Sequence, residues 1–172
     1  MLARETAVTG PDTLRGVPSD WVLLVYRLPR EPSTPRIALW RALRRLGAVQ
    51  LLDGLVALPS DSRTREQLDW LADGVIEAGG EAAIWVAQPG ATAQERALVE
   101  RMRAASAAEY DALADSAAAA LSLDRGPRKR ELARLRRELR RIGRRDYFVA
   151  DERRSALRAV EALAQSVEAV EA

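Results

Sequence analysis

The residues able to do chemistry in this chain are overwhelmingly arginines. Between Leu123 and Arg145 stand ten arginines and one lysine against Asp124, Glu131 and Glu138, a net charge of +8. The stretches on either side, 1–122 and 146–172, are each net −3, so a total of +2 conceals one strongly basic element. Clustered guanidinium groups offer planar donor forks to phosphate and release counterions from a nucleic-acid backbone. Arg128, Lys129, Arg130, Arg134, Arg137, Arg141, Arg144 and Arg145 are therefore candidate phosphate contacts. The plainer reading is a solvated helix whose arginines pair with acids on a neighbour, since the last helical stretch carries Asp151, Glu152, Glu161, Glu168 and Glu171. A second group, Arg27, Arg36 and Arg41, has the residue type that binds tetrahedral anions through paired hydrogen bonds. It is a candidate oxyanion site, read against ordinary surface arginines. Lys129 is the one lysine among 27 basic residues, and the equally high alanine content points to a GC-rich gene as the source of that bias.

Other chemistries fall away on composition. The sequence has no histidine and no cysteine. That removes zinc fingers, haem and iron–sulfur ligation, Ser–His–Asp and Cys–His catalysis, and disulfides. Any metal site would have to be built from carboxylate oxygen. Asp53 and Asp61 stand in turn and cap contexts where structural roles suffice. No catalytic residue, metal or cofactor is expected, and the chain is not read as an enzyme. Residues 1–19 have the composition of a flexible leader, with neither a signal peptide nor an anchor. No window approaches the ~20 apolar residues of a membrane span, so a cytoplasmic protein without a membrane partner is expected.

The elements that must position these arginines are well punctuated. WVLLVYRL (21–28) reads as a strand stopped by Pro29. A helix follows from Ser33-Thr34, with a hydroxyl cap and Pro35 in its first turn, to Leu46 before Gly47. Its expected apolar stripe is Ile37, Trp40, Leu43 and Leu46. Ala48–Leu52 and Leu55–Leu58 flank Asp53-Gly54, a hairpin signature. Residues 60–80 hold a second helix packing through Leu68, Leu71, Val75 and Ile76, and EAAIWVAQ (81–88) is a fourth strand. Trp40, Trp70 and Trp85 are expected in the core. This βαββαβ order predicts an α+β protein: a ferredoxin-like domain over 20–90, then a helical part over 91–172. Its pieces are about 92–122, 127–143 and 151–171, and the basic helix spans 127–145. Leu132, Leu135, Leu139 and Ile142 form a heptad-like seam, matched by Leu157, Val160, Leu163/Ala164, Val167 and Val170. The two seams would suit an antiparallel hairpin or a homodimer. The alanine-rich span 104–120 is expected to be a closely packed helix.

Residues 21–59, 79–88 and RRIGRRDYF (140–148) resemble the N-terminal domain of ChrB-type chromate-resistance proteins. The most specific stretches are Ser33–Arg41, Leu46–Pro59 and Arg145-Asp146-Tyr147-Phe148. The first two also look like the ferredoxin-like segment of PaaX-type repressors. The resemblance implies a chromate-responsive regulator that binds promoter DNA and is released by the oxyanion. ChrB-type proteins commonly carry a further C-terminal domain, to which sensing and reductive chemistry are more naturally assigned; this sequence stops at Ala172 without it. A second possibility is a dimerisation or interaction module of the chromate-resistance system that touches no DNA. The strand pattern also resembles CRISPR spacer-acquisition nucleases, but the first strand ends in Tyr26-Arg27 where those enzymes place a metal-binding aspartate.

Overall fold

A computed structural model of the chain describes residues 20–169; the expected leader and Val170 lie outside them. The ferredoxin-like part runs β1 (Trp21–Arg27), α1 (Thr34–Leu46), β2 (Val49–Leu52), β3 (Leu55–Pro59), α2 (Ser62–Glu77) and β4 (Glu81–Ala87). Three helices follow, α3 (Thr92–Ala120), α4 (Arg125–Gly143) and α5 (Arg153–Glu168). The sheet order is β2-β3-β1-β4 with every neighbouring pair antiparallel, as the split-βαβ pattern requires.

Local chemistry sets the joints. At the β2–β3 hairpin, Gly54 has φ +73°, and a Cβ there would sit 2.4 Å from the Tyr26 carbonyl oxygen, so only glycine fits. Asp61 and Thr64 form a reciprocal capping box at the start of α2, and the buried Thr64 hydroxyl also donates to the Pro59 carbonyl at 2.7 Å. Ser33 occupies the N-cap of α1 without a side-chain cap bond, so the expected hydroxyl cap does not form; Pro35 in the first turn favours the helix there.

Alternation along the strands divides the sheet into two faces. Val22 and Leu24 of β1, with Val56 and Leu58 of β3, are fully enclosed on the face that α1 and α2 cover. Leu23, paired with Ala57 and Trp85, lies on the other face, which α3 covers only in part through Leu98 and Met102.

The side each element presents differs from the expectation. Trp40, Trp70 and Trp85 are 54%, 73% and 61% exposed, while Trp21 is 1% exposed and packs 6.1 Å from Phe148. α1 buries Leu39 and Leu43 rather than a stripe through Ile37 and Trp40, and Ile76 of α2 is exposed as well. Both helices carry two overlapping apolar arcs, and the sheet is covered by the arc of branched aliphatic and small residues: Leu39 and Leu43, then Leu68, Ala72 and Val75. Leu157 of α5 is likewise exposed, with Ala156 taking the interior position.

The last three helices form an up-down-up bundle. Tyr110, Leu113, Ala117 and Ala120 of α3 meet Leu132, Leu135 and Ile142 of α4 and Ala156, Val160, Leu163, Ala164 and Val167 of α5. The alanines let the helices approach closely, as expected for the span 104–120. The leucine seam of α4 is thus consumed inside the chain's own bundle. Among the described residues, no helix is long and apolar enough to cross a membrane.

Candidate functional site

Two regions of the molecule gather arginines. The first is α4. At 100° per residue its buried seam, Leu132, Leu135 and Ile142, marks one side, and the solvent arc holds Lys129, Arg130, Arg134, Arg136, Arg137, Arg140, Arg141 and Arg144, all exposed. Only Ala133 interrupts the arc. Glu131 and Glu138 sit half-buried at its margin and engage Arg134 and Arg141 one turn on. The hydrogen bonds from Arg134 hold the Glu131 carboxyl below the usual carboxylate range, partly offset by burial. Arg130, Arg137 and Arg144 have no carboxylate partner among the described residues.

Two of the eight expected phosphate contacts are otherwise employed. Arg128 donates to the carbonyls of Leu121 and Leu123 at 2.9 and 2.8 Å, tying off the α3–α4 turn, and reaches Ser166 of α5 at 3.4 Å. Arg145 turns inward to an ion pair with Glu109 of α3, its side chain 14% exposed. Arg136 and Arg140, which line a groove against α5 with Lys129 and Arg137, belong to the arc but were not among the candidates. A helical-wheel placement of the leucine seam would have found them.

The second region is the junction between the sheet domain and the bundle, built by Arg145-Asp146-Tyr147-Phe148. Asp146 accepts from the Tyr110 hydroxyl at 3.1 Å and from the Ala150 backbone N–H at 3.1 Å. Burial, and after it the neighbouring Asp146, push the Tyr110 phenol up to about 12. Tyr147 donates to the Leu46 carbonyl at 2.9 Å and carries the Arg63 guanidinium 5.7 Å over its ring. Phe148 meets Trp21. Four consecutive side chains thereby fasten α3, α1, α2 and β1 to the end of α4.

Beside this clasp lies a cavity of about 250 Å³ between the α1–β2 turn, α3 and Arg145. Arg44, Arg101, Arg145, Ser106 and Glu109 contribute its polar walls. Gly47, φ +73°, makes room for it: a Cβ there would come 3.0 Å from the Cβ of Arg145. Arg101 donates to the Gln50 carbonyl at 2.7 Å, and Arg44 lies 5.1 Å over the Trp40 ring. The arginines singled out as an oxyanion group are dispersed. Arg27 pairs with Glu81 across β1 and β4 at 2.7 Å, and Arg36 and Arg41 project about 140° apart around α1. Among the described residues, no group of three carboxylates is arranged to hold a metal ion.

A ferredoxin-like domain clasped to a three-helix bundle with one basic face is the class of protein these features define. The family model described as "Protein ChrB, N-terminal" matches residues 36–171, and the chain belongs to that family. Protein ChrB of Cupriavidus metallidurans is 36% identical over 84 residues, covering 47% of this chain and 26% of that protein. The matched region is about a quarter of the length of that relative. Family membership makes this a ChrB-type protein. No solved structure matches the chain.

Proposed function

We propose that the protein is a transcriptional regulator of chromate resistance that holds promoter DNA against α4 and responds to chromate. The observation that carries this reading is the arc on α4, where eight exposed cations face solvent and the two acids are kept to its margin. A 19-residue helix is about 28 Å long, close to the ~34 Å of one turn of duplex. Lys129, Arg130, Arg134, Arg137, Arg141 and Arg144 are the phosphate contacts in this reading, joined by Arg136 and Arg140. Such contacts supply affinity and orientation without reading bases. No step in it requires covalent chemistry, so the protein acts as a binder and not as an enzyme.

The test is fluorescence anisotropy against the upstream promoter duplex and a scrambled duplex at two salt concentrations, with and without chromate. Eight phosphate contacts give a log–log salt slope near −7, selectivity for the promoter, and release by chromate. Affinity indifferent to salt overturns the reading.

An interaction module without DNA contact is favoured by a different observation. Trp85 and Val25 lie exposed on the sheet face that α3 leaves open. That alternative expects duplex binding to be absent and Trp85→Ser to abolish self-association in sedimentation.

A further inference from the structure

We propose that the cavity at the domain junction is a binding site for a compact tetrahedral dianion. The inference rests on the oxyanion response in the reading above, but not on DNA binding. Three arginines, Arg44, Arg101 and Arg145, line the cavity with a single carboxylate residue, Glu109, so its lining residues carry two net positive charges. A dianion neutralises that excess.

Arg44 has no carboxylate partner among the described residues, and the one hydrogen bond Arg101 makes, to the Gln50 carbonyl, leaves further N–H donors on its fork. Ser106 supplies an independent sign. It is buried, lines the cavity, and its hydroxyl has no hydrogen-bond partner among the described residues. That hydroxyl can donate to an oxygen acceptor placed in the cavity. At about 250 Å³ the space is below the range of drug-sized pockets and suits a four-oxygen anion with a few waters.

The position gives the site a mechanical consequence. Arg145 lies just past the end of α4, and its guanidinium is paired with Glu109. A dianion competes with Glu109 for that group and so acts where the basic helix joins the sheet domain. Chromate, sulfate and phosphate share the required shape and charge.

Isothermal titration of the full chain with each of these anions, in the absence of DNA, tests the site. Arg44→Gln and Arg101→Gln should each weaken binding about tenfold, the size of one charge-assisted hydrogen bond. Glu109→Gln, which removes the competing carboxylate, should tighten it. Perchlorate, tetrahedral but singly charged, should bind weakly. Arg44 is exposed, so its variant remains decisive if Arg101→Gln fails to fold. Absence of binding by the wild-type chain, equal affinity in the arginine variants, or perchlorate binding as tightly as sulfate would each overturn the site. Because these heats are read without duplex, a chain that takes the anion and ignores DNA sinks the regulator reading and leaves the cavity standing. A chain that binds promoter but takes none of the anions sinks the cavity and leaves only the DNA-binding part of that reading.

Discussion

Arg137 and Arg145 lie eight residues apart, yet they belong to regions that use the same side chain in opposite ways. On the α4 arc, guanidinium groups stand in water at high dielectric, contribute almost nothing to folding, and are suited to a diffuse phosphate backbone. At the junction the guanidinium of Arg145 is largely enclosed and paired with Glu109, its Cβ close against Gly47, where each contact is stronger and each missing partner costs more. Residue type alone therefore does not say what an arginine does here; its enclosure does.

Substitutions can break or sharpen this contrast, and their effects on stability should descend in a definite order. Asp146→Ala should be the most damaging, because it leaves the buried Tyr110 hydroxyl and the Ala150 N–H unsatisfied at once. A loss of about 2–4 kcal/mol in urea unfolding is expected. A loss under 0.5 kcal/mol would mean that the clasp is not structural.

Tyr110→Phe comes next, at about 1 kcal/mol near neutrality, with a distinctive alkaline signature. The unfolded chain releases this phenolic proton near pH 10, whereas the folded chain keeps it until about 12. The folded state binds more protons in that window, so wild-type stability falls as pH rises from 10 to 12 and is unaffected below it. The phenylalanine variant should show a shallower alkaline decline in thermal melts across that range.

Val149→Gly should go the other way. Val149 sits just past the clasp at φ +50°, a region costly for a β-branched residue. Glycine there should raise stability by up to about 1 kcal/mol, and a lower Tm would count against strain at this turn. The smallest effect on folding is expected from the arc. Arg130→Gln, Arg137→Gln and Arg144→Gln together should change unfolding free energy by less than about 0.5 kcal/mol, while flattening the salt slope for duplex by about 2.7. A large destabilisation would show that these arginines serve the bundle instead.

The order of the elements was legible because glycine and proline punctuate them: Pro29, Gly47, Asp53-Gly54 and Pro89-Gly90 all fall at real boundaries. The facing of the helices was not. Ile37 and Trp40 define a stripe as regular as Leu39 and Leu43, and only the shape of the sheet beneath decides between them. The basic arc was visible as a charge excess, and its extent follows once the leucine seam is placed opposite. The cavity was invisible for a different reason. Arg44, Arg101 and Arg145 come from α1, α3 and the turn after α4, and no local pattern connects residues that meet only through tertiary packing.

The distribution of tryptophans fixes how the molecule will look in a spectrometer. Three of the four indoles already face water, and only Trp21 is enclosed. Emission from the native protein will therefore be dominated by solvated fluorophores, open to collisional quenchers, and unfolding will change it little. Near-ultraviolet dichroism, which senses the fixed Trp21–Phe148 pair, is the signal that should report when the two halves of the chain let go of each other.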